Sequence, residues 1–326
     1  MDISIVIPTF NRREMVRRTL ETLFAQTFPA DKYEVIVVVD GSTDGTAAML
    51  RTLKPACRFR VIEQENRGLA GARNTGFREA DAGLVLFLDD DMMCDQGLVA
   101  AHVAAHETTC QLVAFGVIFL SADSPPSLAA ECFNREIGAF HLRQNQSGRK
   151  AWQQIECVFS NTSLSRASLI EAGGFDETFR MREDLELGAR LCNAGLHAWY
   201  INSAVAYHCY NKNIDDLVQD AEAFATADVM FARKHPETPM QGQWSRYATE
   251  PLWKRKVRRI AALSPAIADC FLEPVCDLGE QFLSVPMLRN AGVRALQMRR
   301  WIHWLHKVIA LGMACSAPEQ GKVKQM

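Results

Sequence analysis

The sequence lacks the signals of several protein classes. It has ten cysteines but no Cys-x-x-Cys pair, which excludes the usual zinc and redox motifs and favours reduced, mostly buried thiols. No apolar run reaches the roughly 18–20 residues that span a bilayer. The chain starts directly with the strand-like Ile3–Ile7, without a basic region or cleavage site. We therefore expect no signal peptide and a cytoplasmic location.

The charge is nearly balanced in total but uneven along the 326 residues. A formal net charge of −2 gives no general attraction to nucleic acid. Residues 251–326, however, carry 12 Lys/Arg against 5 Asp/Glu, a balance of +7. Cations cluster in Lys254–Arg259, and Trp301–Leu311 combines aromatic, cationic and apolar side chains. We expect this region to pack onto the rest of the protein or onto another subunit; the alternative is peripheral attachment to the inner face of an anionic membrane.

Strand and helix signals alternate over the first ninety residues, which predicts βαβ units and an α/β fold with a parallel sheet. Asn11, with Glu14 three residues later, has the spacing of a helix N-cap in a capping box. A helix is also predicted from about Glu183, and the chain is mostly helical from about residue 213. The strand patterns occupy residues 3–7, 34–39, 60–63, 84–88 and 198–201. Between residues 110 and 157 the pattern is weaker, and 144–150 is predicted to be a polar, mobile loop.

An acidic triplet is the most informative feature. The apolar strand Leu84–Leu88 leads directly into Asp89, Asp90 and Asp91. Three adjacent carboxylates repel one another unless a cation shares them, so the pattern predicts a divalent metal, the alternative being a solvated acidic loop. Oxygen ligands suit a hard cation such as Mg²⁺ or Mn²⁺.

Two further polar clusters, Pro8–Asn11 and Asp40–Ser42, also follow strands. In open α/β sheets, ligands bind beyond the carboxyl ends of the strands, so the three clusters are expected at one edge. The glycine-rich turn around 41–45 leads into a helix N-terminus, which favours an anion such as a phosphate. Asp40 is suited either to accept a hydrogen bond from a base N–H or to cap the next helix.

Together these stretches resemble the inverting family 2 glycosyltransferases of the GT-A fold. The resemblance covers about residues 1–210 and rests on Val6–Arg12, Val37–Gly45, Asn66–Asn74, Phe87–Asp91, Asn161, Gly173–Glu177 and Glu183–Leu185. It implies a nucleotide-binding, mostly parallel sheet flanked by helices, with a helical C-terminal extension. The implied domains are a catalytic domain over 1–212 and a mainly helical region over 213–326. The nucleotide half of the catalytic domain covers about 1–110 and the acceptor half about 111–212.

The implied function is metal-dependent transfer of a sugar from a nucleoside diphosphate donor, expected to be a UDP-sugar, to an acceptor hydroxyl. The sequence departs from the family pattern at Val39–Asp40, where many members have two aspartates, so uracil, thymine and guanine all stay open as the base. By the resemblance, the donor is bound by Pro8, Thr9, Asn11, Asp40, Arg73, Asp89 and Asp90.

The resemblance also assigns the metal and acceptor sides. Asp91 is implied as the ligand of Mg²⁺ or Mn²⁺, and His208 lies where many relatives place a histidine near the metal or diphosphate, unless it is structural. Asp184 matches the general base, with Glu183 as the fallback and helix capping as the alternative role. Asn161 and Trp199 are expected on the acceptor side.

Two other functions fit parts of this pattern. A sugar-nucleotide pyrophosphorylase would need a glycine-rich, Lys/Arg-containing triphosphate loop near the start, and Pro8–Asn11 is not such a loop. A non-catalytic nucleotide-sugar-binding module would lack the base or the metal carboxylate, and both are present.

Overall fold

One sheet organises the first 212 residues. The structure, a computed structural model, describes residues 1–107, 112–147, 150–151, 159–238, 247 and 249–313. The predicted features that involve Cys110, Cys157 and Cys315 lie outside these residues. The chain divides into two compact units, Met1–Lys212 and Asn213–Met326.

The first unit alternates strands and helices up to residue 88. Its strands are β1 (Ile3–Thr9), β2 (Tyr33–Asp40), β3 (Arg58–Gln64), β4 (Leu84–Leu88), β5 (Met92–Cys94), β6 (Leu112–Leu120), β7 (Lys150–Ala151), β8 (Asn161–Ser165) and β9 (His197–His208). Its helices are α1 (Arg13–Phe24), α2 (Thr46–Thr52), α3 (Gly68–Arg78), α4 (Leu98–His106), α5 (Leu128–Ser147), α6 (Arg166–Glu171) and α7 (Glu183–Asn193), with a 3-10 turn at Ala30–Lys32.

Across the described residues the strand order is β3-β2-β1-β4-β8-β6-β9-β5, with β7 paired to β9. The pairs β1–β2, β2–β3, β1–β4 and β6–β9 are parallel, whereas β8 runs antiparallel to β4 and β6. Six of these nine strands therefore point in one direction. This arrangement confirms the predicted α/β fold with a mostly parallel sheet flanked by helices.

The strand sequences explain why this sheet is central. Every residue of β1 and β2 is buried, as expected for continuous apolar strands covered on both faces. Helix α1 buries Val16, Leu20 and Leu23, which form an apolar stripe along one face of the helix. Helix α3 approaches β1 so closely that a Cβ on Gly76 would lie 2.2 Å from Val6 Cγ1, so only glycine fits there.

Three local predictions are wrong. Asn11 does not cap α1: the N-cap is Arg12, and Asn11 adopts a left-handed φ of 53°. Strand β1 does not end at Pro8 but continues through Thr9; Pro8 pairs with β2 beyond the last described pair with β4, so its missing N–H breaks no bond to β4. The predicted loop at 144–150 is helical as far as Ser147, the end of α5.

The second unit is helical, with α8 (Ile214–Lys234), α9 (Leu252–Ala262), α10 (Pro265–Gln281) and α11 (Pro286–Ala310). Asn213 and Asp216 form a capping box that begins α8. Trp304 of α11 is buried and donates from Nε1 to Asp228 Oδ2 at 2.9 Å. The aromatic and cationic segment 301–311 therefore supplies core residues of its own unit. Among the helices described, none is long and apolar enough to cross a membrane.

Candidate active site

The polar ends of three neighbouring strands meet at the carboxyl edge of the sheet. Strand β1 lies between β2 and β4, so Thr9, Asp40 and the acidic triplet emerge side by side. Thr9 Oγ1 donates to Asp90 Oδ2 at 2.7 Å, and Thr19 Oγ1 of α1 donates to the Asp90 carbonyl at 2.7 Å. The predicted convergence of these clusters is thus observed.

Arginines supply much of the positive charge that the acidic triplet requires. Arg12 Nη1 lies 2.9 Å from Asp90 Oδ1 and 2.7 Å from Asp91 Oδ2, so one guanidinium bridges two carboxylates. The sequence prediction considered only a metal and missed Arg12. A signal was present, because Arg12 is a cation three residues beyond Thr9, the carboxyl end of β1.

The two bridged carboxylates have opposite pKa shifts. Burial raises the pKa of Asp90 to about 6, against the charge of Arg12. Burial also acts to raise the pKa of Asp91, but the hydrogen bond and charge of His208, together with Arg12, lower it below its ordinary value. His208 Nε2 lies 3.2 Å from Asp91 Oδ2. Asp91 is therefore the carboxylate that is kept ionised.

One oxygen of Asp91 is left without a hydrogen-bond donor among the described residues. This atom, Oδ1, is buried, and a buried acceptor without a donor normally costs about 1–3 kcal/mol. A cation would satisfy it. Within the described residues no three His, Cys, Asp or Glu side chains form a ready metal cluster. Mg²⁺ and similar ions are commonly held by one or two carboxylates plus substrate phosphates, so Asp91 and its neighbour His208 fit such an ion in the presence of a diphosphate.

Arg73 links the acidic triplet to Glu183, the fallback for the predicted base Asp184. This arginine is 2 % exposed; its Nη2 lies 2.8 Å from Asp89 Oδ1 and its Nη1 lies 2.8 Å from Glu183 Oε1. Its guanidinium carbon lies 5.5 Å from the centre of the Phe175 ring. Helix α3, which carries Arg73, thereby fixes the start of α7 against the end of β4.

Glu183 and Asp184 form an acidic pair in the first turn of α7. Burial and the neighbouring Asp184 charge raise the pKa of Glu183 to about 7, against the charge of Arg73. Burial also raises the pKa of Asp184. Asp184 Oδ1 accepts from the Leu185 N–H at 2.7 Å. Glu183 is buried and Asp184 is half-buried, and a carboxyl pair with raised pKa values can accept a proton near neutral pH, as a general base must.

Backbone strain is concentrated beside these groups. Among the described non-glycine residues, Asn11 and Arg182 have positive φ values, 53° and 64°. Arg182 is the N-cap of α7 and directly precedes the acidic pair, while Asn11 directly precedes Arg12. Such conformations cost of order 1–3 kcal/mol and cluster at functional sites.

The stretch Gly173–Glu177 is held on α3. Asn74 accepts from the Phe175 N–H and donates to its carbonyl, both at 2.8 Å. Glu177 pairs with Arg67, with Nη2 and Oε1 2.7 Å apart. Gly174 has a φ of +76°, and a Cβ there would lie 2.6 Å from Asn74 Oδ1. Two of the recognised motifs therefore form one supporting structure behind Arg73.

Asp40 caps a helix, but not the helix that follows it. Its Oδ1 accepts from the Arg67 N–H and its Oδ2 from the Gly68 N–H, both at 2.8 Å, so it caps α3. Gln64 Nε2 also donates to Oδ1 at 2.6 Å. The turn expected to hold a phosphate at the start of α2 is occupied by Asp44, whose oxygens accept from the backbone N–H groups of Thr46 and Arg13 at 3.1 and 3.0 Å.

The other predicted residues lie in different surroundings. Asn11 Oδ1 accepts from the Thr43 N–H at 2.8 Å and so joins the loops after β1 and β2. Asn161 is 1 % exposed, and its side chain bonds to His102 and to the carbonyls of Val117 and Ala204. Trp199 is partly buried against an apolar cluster of β6 and β9. Asn161 nevertheless lies next to the acidic triplet in the sheet, because it pairs with Leu88 at the end of β4.

Comparisons with known proteins point to one family. The family model described as "Glycosyl transferase family 2" matches residues 4–171. Validoxylamine A glucosyltransferase of Streptomyces hygroscopicus subsp. jinggangensis (strain 5008) is 30% identical over 274 residues, covering 74% of this chain and 63% of the relative. Pre-mycofactocin glycosyltransferase of Mycobacterium tuberculosis (strain ATCC 25618 / H37Rv) is 26% identical over 242 residues, covering 72% of this chain and 48% of the relative. The chain thus spans about half to three-fifths of these relatives' length.

Solved structures share the fold. The mannosyltransferase PcManGT from Pyrobaculum calidifontis, in complex with GDP-Man and Mn²⁺, has a TM-score of 0.64 and 20% identity, covering 95% of this chain and 88% of its own. S. aureus TarS 1–349 in complex with UDP has a TM-score of 0.52 and 15% identity, covering 96% and 92%.

Proposed function

The chain belongs to glycosyl transferase family 2, and from this membership and the site we propose that it moves a sugar from a nucleoside diphosphate donor to an acceptor hydroxyl, with inversion at the anomeric carbon. The observation that carries the proposal is the Arg73 bridge between Asp89 and Glu183. One guanidinium thus joins a donor-side carboxylate to the first member of the Glu183–Asp184 pair, as transfer between two bound substrates requires.

On the donor side, Thr9, Arg73, Asp89 and Asp90 surround the carboxyl edge of β1 and β4. Asp89 is the most accessible acid of the triplet, with 27% of its side chain exposed, so it is suited to accept hydrogen bonds from a ribose or sugar hydroxyl. Asp40 remains a candidate to hydrogen-bond the nucleotide base, although it already caps α3. Pro8 and Asn11 shape the neighbouring loops and complete the proposed donor surface.

Asp91 and His208 would hold Mg²⁺ or Mn²⁺, which when bound offsets the negative charge on a departing diphosphate. The support is the buried Asp91 Oδ1, which accepts no hydrogen bond from the described residues. Arg12 complements the same region as a fixed cation, since it already neutralises Asp90 and Asp91. His208 packs edge-on against Phe133, with ring centroids 4.9 Å apart, which restricts its orientation.

Asp184 is the proposed general base, with Glu183 as its partner. An acceptor hydroxyl must lose its proton as it attacks the anomeric carbon, and a positioned carboxylate can take that proton. Raised pKa values keep the pair basic enough to accept it near pH 7. Arg73 fixes Glu183 and leaves Asp184 as the base.

A UDP-sugar is the proposed donor. The solved structures of similar fold were determined with GDP-Man in one case and UDP in another, so the fold accommodates either base. A thermal-shift screen of UDP-, GDP- and dTDP-sugars with Mn²⁺ identifies the donor. A ligand at 100 times its dissociation constant should stabilise the protein by about 2.7 kcal/mol.

Donor hydrolysis separates an enzyme from a binding module. The proposal predicts slow release of nucleoside diphosphate in the presence of Mn²⁺ and none in EDTA, because water replaces the acceptor. Binding of the donor without any release under either condition, across added acceptors, would instead support a non-catalytic nucleotide-sugar-binding module.

A further inference from the structure

The outer faces of α9 and α10 expose an unusual amount of apolar surface. On α9, Trp253, Val257 and Ile260 follow at i, i+4 and i+7, hence on one face, and Trp253 and Ile260 are 64% and 69% exposed. Soluble helices normally turn such a stripe toward a core. Here the buried residue of α9 is Ala262, on the opposite side.

Helix α10, which begins three residues after α9 ends, exposes an apolar stripe of its own. Ile267, Phe271, Val275, Leu278 and Phe282 recur every three or four residues up to the C-cap, and all are exposed, with Phe271 at 74%. The opposite side of α10 packs on α11, where a Cβ on Gly279 would lie 2.7 Å from Gly292 Cα. Its apolar stripe is therefore separate from its packing face. Contiguous apolar surface of this kind marks an interaction site.

Cations border the apolar stripe of α9. Lys254, Lys256 and Arg259 are exposed, and residues 251–268 contain five Lys/Arg and no Asp/Glu. Two acids of α10, Asp269 and Glu273, are bonded to Arg299 of α11 at 2.9 and 3.4 Å. The charge next to the α9 stripe is accordingly positive, whereas α10 has no Lys or Arg and exposes Glu273 and Asp277.

We propose that α9 and α10 form a membrane-docking surface that lies on an anionic lipid bilayer. Trp253, Ile260 and Phe271 would enter the boundary between headgroups and acyl chains, while Lys254 and Lys256 would contact anionic headgroups. A second copy of the chain fits less well where α9 meets α9 of that copy, because two cationic stretches then repel. A contact between α9 and the acidic α10 of a second copy is the competing outcome of the test below.

Vesicle flotation tests this proposal with the full chain. Vesicles of phosphatidylcholine with 30% phosphatidylglycerol, and vesicles of phosphatidylcholine alone, are compared at low and high salt. The protein should float with the anionic vesicles at low salt and be released by high salt. The double variant Lys254→Gln/Lys256→Gln should lose roughly 25-fold in apparent partitioning, about fivefold per cation. The matched control Lys54→Gln, at an exposed site of the first unit, should be unchanged.

Phe271→Ser tests the apolar contact separately. Because Phe271 is 74% exposed, this variant should keep the wild-type melting temperature and yet lose roughly tenfold or more in partitioning. Absence of flotation with anionic vesicles at low salt overturns the proposal. A lipid-free dimer that Phe271→Ser dissociates, without any flotation, overturns it in favour of a second copy. Both results are independent of whether the first unit transfers sugars.

Discussion

Replacing Arg73 by methionine removes the one guanidinium that joins Asp89 to Glu183. The side chain is 2% exposed and makes two charge-assisted hydrogen bonds of 2.8 Å. Breaking a buried ion pair costs about 3–5 kcal/mol. Asp89 is partly exposed and can be rehydrated, and Glu183 can take up a proton, so we expect a loss at the lower end, about 3 kcal/mol. For a unit of this size the melting temperature should fall by about 6–12 °C.

The loss should also depend on pH. Arg73 acts to lower the pKa of Glu183, so its removal raises that pKa above about 7. The pKa of Glu183 is higher in the folded protein than in the unfolded chain, so the folded protein keeps a proton that the unfolded chain has released. Stability therefore falls as the pH rises from the unfolded-state pKa to the folded-state pKa. In wild type this fall in stability ends near pH 7, whereas in Arg73→Met the fall continues above pH 7. The difference between the two proteins should widen by up to about 1.4 kcal/mol per pH unit.

Thermal and urea unfolding at pH 6.0 and 8.5 measure this difference. The matched control is Arg51→Met, which removes an arginine from an exposed pair with Glu63 and should change stability by less than about 0.5 kcal/mol at both pH values. A gap between wild type and Arg73→Met that is the same at both pH values would refute the coupling of Arg73 to Glu183.

Two further predictions concern stability. His102 is buried between Ser163 and Asn161, and burial lowers its pKa to about 4. Wild-type stability should therefore fall by about 3 kcal/mol on account of this group as the pH drops from about 6.5 toward 4. In urea unfolding, His102→Gln should remove this part of the pH dependence, and an unchanged dependence would contradict the prediction. Asp40→Ala removes the cap of α3 and should lower the free energy of unfolding by about 2 kcal/mol or more in thermal unfolding. The same change at the exposed Asp31 should leave this free energy almost unchanged. Equal effects of the two substitutions would exclude the capping role.

Sequence periodicity predicted the strands and helices of the first ninety residues well because β1, β2 and β4 are strongly apolar and α1 is amphipathic. It failed between residues 110 and 157 for a physical reason. Strand β6 is a continuous apolar run, which strand and helix share, and α5 mixes polar and apolar residues without a clear stripe. The polar stretch at its end reads as a loop although it is helical up to Ser147.

The sequence predicted the residues of the candidate site better than it predicted the contacts between them. Asp89, Asp90 and Asp91 were correctly expected at the sheet edge with Thr9 and Asp40. The partner of each carboxylate could not be predicted, because Arg12 and Arg73 reach them through tertiary contacts with sequence separations of 16 to 79 residues. The capping of α3 by Asp40 was missed for the same reason, since local spacing pointed only to the next helix.

The central claim is that Asp184 is the base of a metal-dependent sugar transfer. The most direct test compares nucleoside diphosphate release from the donor by wild type, Asp184→Asn and the surface control Asp31→Asn, with Mn²⁺ and with EDTA, alongside binding of the nucleoside diphosphate. We predict that Asp184→Asn loses about 10²–10⁴ in rate, keeps Mn²⁺-dependent binding, and that Asp31→Asn matches wild type. Full turnover by Asp184→Asn would contradict the base assignment.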